Sequence, residues 1–338
     1  MKKADIKLGY ECNNDCVHCV IADFKDALLS KGSSENLTTE QYVKEMEESR
    51  RNGADNIVFT GGEPTIRHDL IHLLRKAREM GYKVHIQSNG RRFNDRAFAG
   101  KVAACGIESY CIALHAHIAE VHDSITRRKG SFEETAEGMR NLLDLDQNLI
   151  GKFVISKYNL PYLTETAKLF VELGIRHVSI TFPHGCGNAR KYFLEVVPRY
   201  SELVPSLYHA LQFLEERAIR IETEALPFCF MPGFERYVQD LTYINEGLTE
   251  LKQLGIDKPI DWHIERKNIK KKFEVCRKCR YDSICEGPWN EYPEYYGDLE
   301  FKAVPGQEIC RPQALRDGSW FNLYRADRPS LFYSTLTR

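Results

Sequence analysis

Residues 8–20 read LGYECNNDCVHCV and set Cys12, Cys16 and Cys19 in a C-x3-C-x2-C array directly after a short apolar run. Thiolates are the usual ligands of iron–sulfur clusters, and three within eight residues can wrap one inorganic centre. Tetrahedral zinc is the alternative, but it takes four ligands. The extra donor at hand, His18, sits between two of the cysteines in a very short loop. A cluster held by three thiolates keeps one iron open to a substrate or cofactor.

Outward from this loop, the chain alternates β-branched runs with amphipathic stretches up to about residue 225. The strand candidates are ADIKLGY, NIVFT, KVHIQS, SYCIALH, KFVISK, HVSITF and IRIETE. Between them, TTEQYVKEMEESRRNG, DLIHLLRKAREMG, FEETAEGMRNLLDL and YLTETAKLFVELG repeat apolar residues at helical spacing, three of them ending at a glycine suited to a C-cap. Six β-then-α units imply parallel strands joined by right-handed crossovers, hence an α/β fold. Six is short of a complete TIM barrel, so residues 1–225 are expected to form a partial (β/α)6 TIM-like barrel. Chemistry in such barrels sits at the C-terminal ends of the strands. Those ends read YEC, FTGGEP, QSNG, ALHAH, SKYN and TFPHGCG, all polar or glycine-rich.

The C-x3-C-x2-C array after the first strand, with Gly61-Gly62-Glu63-Pro64 after the second, resembles the radical S-adenosylmethionine superfamily over the first two-thirds of the chain. The resemblance implies a 4Fe–4S cluster on Cys12, Cys16 and Cys19, its unique iron chelated by S-adenosylmethionine. One electron then cleaves the sulfonium to a 5′-deoxyadenosyl radical that abstracts a substrate hydrogen. It also implies roles at the strand ends. Gly61 and Gly62 admit the methionine moiety, while Glu63, before Pro64, accepts from its ammonium group or holds the turn. Ser88 and Asn89 stand where family members carry Thr-Asn-Gly, and His18 where an aromatic residue often lies near the adenine. His115, with His117, and Asn159 are ribose candidates. Cys186 is placed to donate a hydrogen atom to a substrate radical or to be a buried structural thiol; Cys105 and Cys111 read as core.

A second array, CRKCRYDSICEG, spaces Cys276, Cys279 and Cys285 as C-x2-C-x5-C. It resembles the SPASM or shorter twitch extension that holds auxiliary 4Fe–4S clusters. Trp289 stands where the full pattern has a further cysteine, and the usual upstream pair is reduced to Cys229. One auxiliary 4Fe–4S cluster is therefore expected, with Cys229 as fourth ligand or Cys310 as the alternative. Four thiolates suit zinc equally. Residues 226–338 read as a small metal-stapled domain and C-terminal tail, with too few apolar residues for a core of their own. GPWNEYPEYYGDLEF within it offers aromatic packing or a grip on a peptide. The basic run RKNIKKKF is either a solvated face or a dock for a ferredoxin- or flavodoxin-type electron donor.

The bulk properties exclude other classes. Over 338 residues the formal net charge is −1, which argues against a nucleic-acid partner. No apolar run reaches the roughly 18–20 residues that span a bilayer, and the N-terminus holds no signal peptide. A cytoplasmic location follows, where eleven cysteines call for metal rather than disulfides. The expected function is a radical S-adenosylmethionine oxidoreductase or maturase whose auxiliary cluster assists oxidation or crosslinking of a ribosomally made peptide. The chain begins almost at the first strand, without a leader-recognition domain, so a small sugar, aminoglycoside or nucleoside is the alternative substrate. Outside both stands a non-enzymatic zinc or electron-transfer protein.

Overall fold

All seven strand candidates form strands: β1 (Lys3–Lys7), β2 (Asn56–Thr60), β3 (Lys83–Ser88), β4 (Ser109–Ala113), β5 (Leu149–Val154), β6 (His177–Thr181) and β7 (Arg220–Glu224). The structure is a computed structural model describing residues 2–239, 249–252 and 259–310. Each of these strands pairs in parallel with the next, in unbroken order from β1 to β7. That consecutive winding is barrel-like; a doubly wound sheet would reverse its order at a switch point. Two further strands extend the sheet beyond β1. β8 (Thr249–Lys252) pairs with β1 in parallel, and β9 (Ile260–Asp261) pairs with β8 antiparallel, giving nine strands among the described residues.

The helices close the crossovers where the periodicity places them. Thr39–Arg51 opens on a capping box, in which Thr38 accepts from the Gln41 amide and Gln41 accepts from the Thr38 amide. Leu70–Glu79, Arg96–Ala103, Ser131–Asp144, Leu163–Glu172 and Tyr200–Glu216 follow. Strand residues alternate between two environments. Ala4, Ile6, Ile57, Phe59, Val84, Ile86, Phe153 and Ile180 are buried in the apolar core, Phe153 stacking on Phe170 of a crossover helix at 6.1 Å. The opposite face carries Asp5, Lys7, His85, Cys111, Lys152, Glu222 and Glu224, mostly half-buried. Branched apolar side chains fill the interior of a complete TIM barrel; here the inward set is polar, as a ligand-bearing lumen requires.

Beyond residue 225 the chain leans on the barrel for its core. Tyr200, on a crossover helix, packs against Phe182 at 4.1 Å, Tyr292 at 4.6 Å and Phe230 at 4.9 Å, with Phe301 at 5.8 Å. The aromatic run that starts at Gly287 thus supplies packing: Trp289 and Tyr292 are buried in the same cluster as the barrel residues. The weakly periodic tail falls on residues 311–338, outside the described residues. Among the described residues, no helix is long and apolar enough to cross a membrane.

Candidate functional site

The cysteine loop leaves the C-terminal end of β1 and is fixed by backbone contacts from three directions. The Gly62 and Glu63 amides donate to the carbonyls of Gly9 and Glu11 at 2.9 and 2.8 Å. The Asp15 and Val17 amides donate to Thr126 and Ile125, both at 2.9 Å. From the β6 loop, the Asn188 amide donates to the Cys19 carbonyl at 2.9 Å, and its side-chain nitrogen reaches the Cys16 carbonyl at 2.9 Å. A Cβ on Gly187 would strike the Cys19 carbonyl. Arg91, held by Glu134 at 2.6 Å, donates to the Asn13 carbonyl and to Asn14 Oδ1.

Three thiols converge in this frame. Burial, and then the charge of Glu63, pushes Cys12 up to about 12. Burial followed by the neighbouring Cys19 and Cys12 sulfurs drives Cys16 well above the usual thiol range, and burial raises Cys19. Buried thiols that disfavour one another's ionisation become thiolates only against a cation, so the donor set fits a metal cluster. Amide hydrogens already point at the sulfurs: Asn14 donates to Cys12 Sγ at 3.4 Å, and the Ile21 and Ala22 amides serve Cys19. Such N–H···S contacts accompany iron–sulfur ligation.

The glycines and Glu63 of the β2 turn serve the chain itself. A Cβ on Gly61 would strike the Gly9 carbonyl, and one on Gly62 the Glu11 carbonyl; Gly61 also has φ +120°. Glu63 caps the short turn Pro64–Ile66. Its Oε1 accepts from the Thr65 amide (3.0 Å), the Thr65 hydroxyl (2.6 Å) and Ser88 Oγ (2.8 Å), and its Oε2 from the Asn89 amide (2.7 Å). Glu63 thereby holds the turn. Asn89 reaches the cysteine loop through Asn13 Oδ1 at 2.6 Å.

At the ends of β4 and β5, His18 and His115 meet edge to face with ring centroids 4.6 Å apart, and His122 stacks behind His115 at 5.6 Å. Burial lowers His18 to about 4 and drives His115 well below its usual value, so both rings are neutral. His18 Nδ1 is buried without a hydrogen-bond partner among the described residues. Cys16 Sγ and ring nitrogens of His18 and His115 lie within 4.8 Å of one another. That grouping suits a single ion, but it excludes Cys12 and Cys19, whose thiols share the pocket. His117 lies apart against Tyr162 at 5.5 Å. Asn159 is committed internally: it donates to the His115 and Val154 carbonyls (2.8 and 2.9 Å) and accepts from the Ser156 amide (2.7 Å). It positions His115 by joining two strand ends.

Cys186 lies against the cysteine loop, its Sγ 3.9 Å from the Val20 carbonyl. Burial, then Glu291, raises it to about 12. In the lumen, Lys152 of β5 faces Glu224 of β7 at 3.6 Å, and its charge reaches His18. Glu224 continues to Arg266 at 3.6 Å, and Arg266 and Lys270 both bond Glu286, next to Cys285. Of the basic run at 266–273, Arg266 and Lys270 are buried against these carboxylates, while Lys267, Lys271 and Lys272 are exposed. Lys152, Glu224 and Asn188 escape the sequence reading; a lysine at an inward position of KFVISK was the available signal for the first.

The second cysteine group also converges. Burial raises Cys229 well above the usual thiol range, followed by the charges of Cys285, Cys279 and Cys276. The Val304 amide donates to Cys279 Sγ and the Phe273 amide to Cys276 Sγ, both at 3.4 Å, and the Lys302 amide serves Cys229. Four sulfurs, three of them with amide donors, fit one metal group. Cys310 is exposed. Trp289, standing where a further cysteine would be, stacks on His184 at 4.1 Å.

Residues 6–170 match the Radical SAM superfamily model. The AdoMet-dependent heme synthase of Methanosarcina barkeri is 28% identical over 221 residues, 65% of this chain and 60% of that protein. The chain thus spans about 60% of the length of that relative. Two solved structures share the fold. Streptococcus suis SuiB bound to its precursor peptide SuiA has a TM-score of 0.62 at 13% identity, covering 91% of this chain and 74% of that one. Native anSMEcpe with bound AdoMet and a Kp18Cys peptide has a TM-score of 0.61 at 14% identity, covering 100% and 99%.

Proposed function

We propose, on the premise that residues 6–170 form a Radical SAM superfamily domain, that the chain is a radical S-adenosylmethionine enzyme that oxidises or crosslinks a peptide. The observation that carries this is the convergence of three half-buried cysteines at the end of β1, clamped by the Gly61–Pro64 turn. Cys12, Cys16 and Cys19 would hold a 4Fe–4S cluster, and Cys229, Cys276, Cys279 and Cys285 an auxiliary one. With S-adenosylmethionine bound, the first cluster supplies one-electron cleavage of the sulfonium to methionine and a 5′-deoxyadenosyl radical that takes a hydrogen atom from substrate.

The chain's own residues prepare that site. Glu63 and Arg91 fix the cysteine loop to the β2 and β3 ends, so the thiols need little rearrangement to bind. His18 and His115, neutral and buried, offer flat faces and ring nitrogens for the nucleoside, with Asn159 setting the position of His115. Burial around them excludes water from a reactive site. The polar lumen, with Lys152 opposite Glu224, favours a second reading in which the substrate is a small sugar, aminoglycoside or nucleoside.

Anaerobic incubation with S-adenosylmethionine and dithionite tests the enzymatic reading. Wild type should release 5′-deoxyadenosine and Cys16→Ala should not; equal release by both would overturn it. A candidate peptide that loses a pair of hydrogens only with the wild type and Cys279 intact separates the peptide from the small-molecule reading.

A further inference from the structure

We propose that the metal-free chain binds one zinc ion between Cys16, His18 and His115, a site whose ligand set differs from that of either cysteine group. Two observations carry it. Cys16 Sγ and one ring nitrogen each of His18 and His115 lie within 4.8 Å of one another. His18 is only 8% exposed, and its Nδ1 is buried with no hydrogen-bond partner among the described residues. A ring nitrogen sealed from water without a partner is costly, and a bound ion satisfies it.

The spacing suits closure around a single ion. Zinc–sulfur bonds of about 2.3 Å and zinc–nitrogen bonds of about 2.0–2.1 Å, set at tetrahedral angles, put the donor atoms about 3.4–3.6 Å apart. The three donors therefore draw in by about 1 Å at the widest pair. The backbone around them is already fixed. The His115 amide donates to His122 Nδ1 at 3.1 Å, and Asn159 Nδ2 donates to the His115 carbonyl at 2.8 Å. The Cys16 carbonyl accepts from the Cys19 amide at 3.0 Å and from Asn188 Nδ2 at 2.9 Å.

The donor set selects the ion. One thiolate and two imidazoles suit zinc and its late first-row neighbours, whereas magnesium and calcium take oxygen ligands. On binding, the Cys16 thiol gives its proton to solvent, one zinc–sulfur and two zinc–nitrogen bonds form, and no electron moves. The fourth position is left to water. Two features oppose the ion. The Val154 amide bond to His115 Nδ1, at 3.3 Å, is given up whichever ring nitrogen binds. Lys152 brings positive charge toward both rings, but Glu224 faces it at 3.6 Å. One long hydrogen bond and a paired lysine are small against three metal bonds. Cys16 serves either this ion or an iron–sulfur group, so the two exclude each other.

The reduced full chain is stripped with a chelator, loaded with excess zinc and passed through gel filtration. Wild type should retain about two ions, one here and one on Cys229, Cys276, Cys279 and Cys285, each in a tetrahedral site. His18→Gln/His115→Gln and Cys16→Ser should each retain about one, whereas Cys12→Ser/Cys19→Ser should retain about two. Two ions in the histidine variant or in Cys16→Ser overturn the proposal, and so does a single ion in Cys12→Ser/Cys19→Ser. A wild type that retains only the ion removed by Cys276→Ser overturns it as well. Thermal melts report whether each variant folds. Should the histidine variant not fold, the Cys12→Ser/Cys19→Ser count decides alone, because ligation by three thiols cannot survive that change and this site can. Iron uptake is measured separately: a chain that takes up no iron on Cys12, Cys16 and Cys19 sinks the enzymatic reading and leaves the zinc counts to decide this site.

Discussion

An added carbon at Gly62 would occupy the space of the Glu11 carbonyl oxygen. Backbone must then move, and overpacking of this kind costs about 1–3 kcal/mol. Gly62→Ala should lower the thermal midpoint of the metal-free chain and reduce its iron uptake; an unchanged midpoint would show that the turn is free to open. Glu63 makes a complementary case. Glu63→Gln places an amide group among donors, leaving at least one buried N–H unsatisfied, at a cost of about 1–3 kcal/mol. The residue types at these positions were legible, since Gly-Gly-Glu-Pro signals a close approach. What approaches was not: the contact is with the cysteine loop's own backbone, fifty residues away in sequence.

The lumen face of the strands carries chemistry of its own. His85 on β3 is bonded by Ser109 of β4 at 2.8 Å and Asn56 of β2 at 3.1 Å, and burial lowers it to about 4, aided by Lys3 and Lys83 and opposed by Glu108. The unfolded chain takes up this proton near pH 6.5, whereas the folded chain does so only near 4. Between those values the unfolded state binds more protons, so stability falls as pH drops from about 6.5 to about 4. Urea titrations should show that slope reduced in His85→Gln; identical slopes would mean the ring is already solvated. Strands β1–β7 were readable because β-branched runs alternate with helical periods. β8 was not: TELK has no strand signature, and pairing comes from the free edge of β1. Its polar residues are met from the first crossover helix, where Lys252 bonds Glu48 at 2.7 Å and Glu250 bonds Ser49 at 3.3 Å. Tertiary context, not propensity, makes that strand.

Across the whole molecule the cysteines sort by what surrounds them. Cys12, Cys16 and Cys19 converge after β1, and Cys229, after β7, is brought to Cys276, Cys279 and Cys285; the Lys152–Glu224–Arg266–Glu286 series leads from the strand face to the neighbour of Cys285. Spacing identified both groups, because ligands for one centre are close in sequence. Spacing could not choose between Cys229 and Cys310, which stand far from the second array on opposite sides. In the folded chain Cys229 lies beside Cys276, Cys279 and Cys285, whereas Cys310 is exposed. After anaerobic reconstitution, wild type should hold about eight irons per chain, two clusters at four each. Cys310→Ser should keep that number. Cys229→Ser should retain about four tightly bound irons, or bind the second set so weakly that gel filtration strips it. The same chain should melt earlier, because a segment that borrows its core from Tyr200 loses its metal staple. Equal iron in the two variants would remove Cys229 from the second centre, and zinc in place of the missing iron would make that centre structural rather than redox-active.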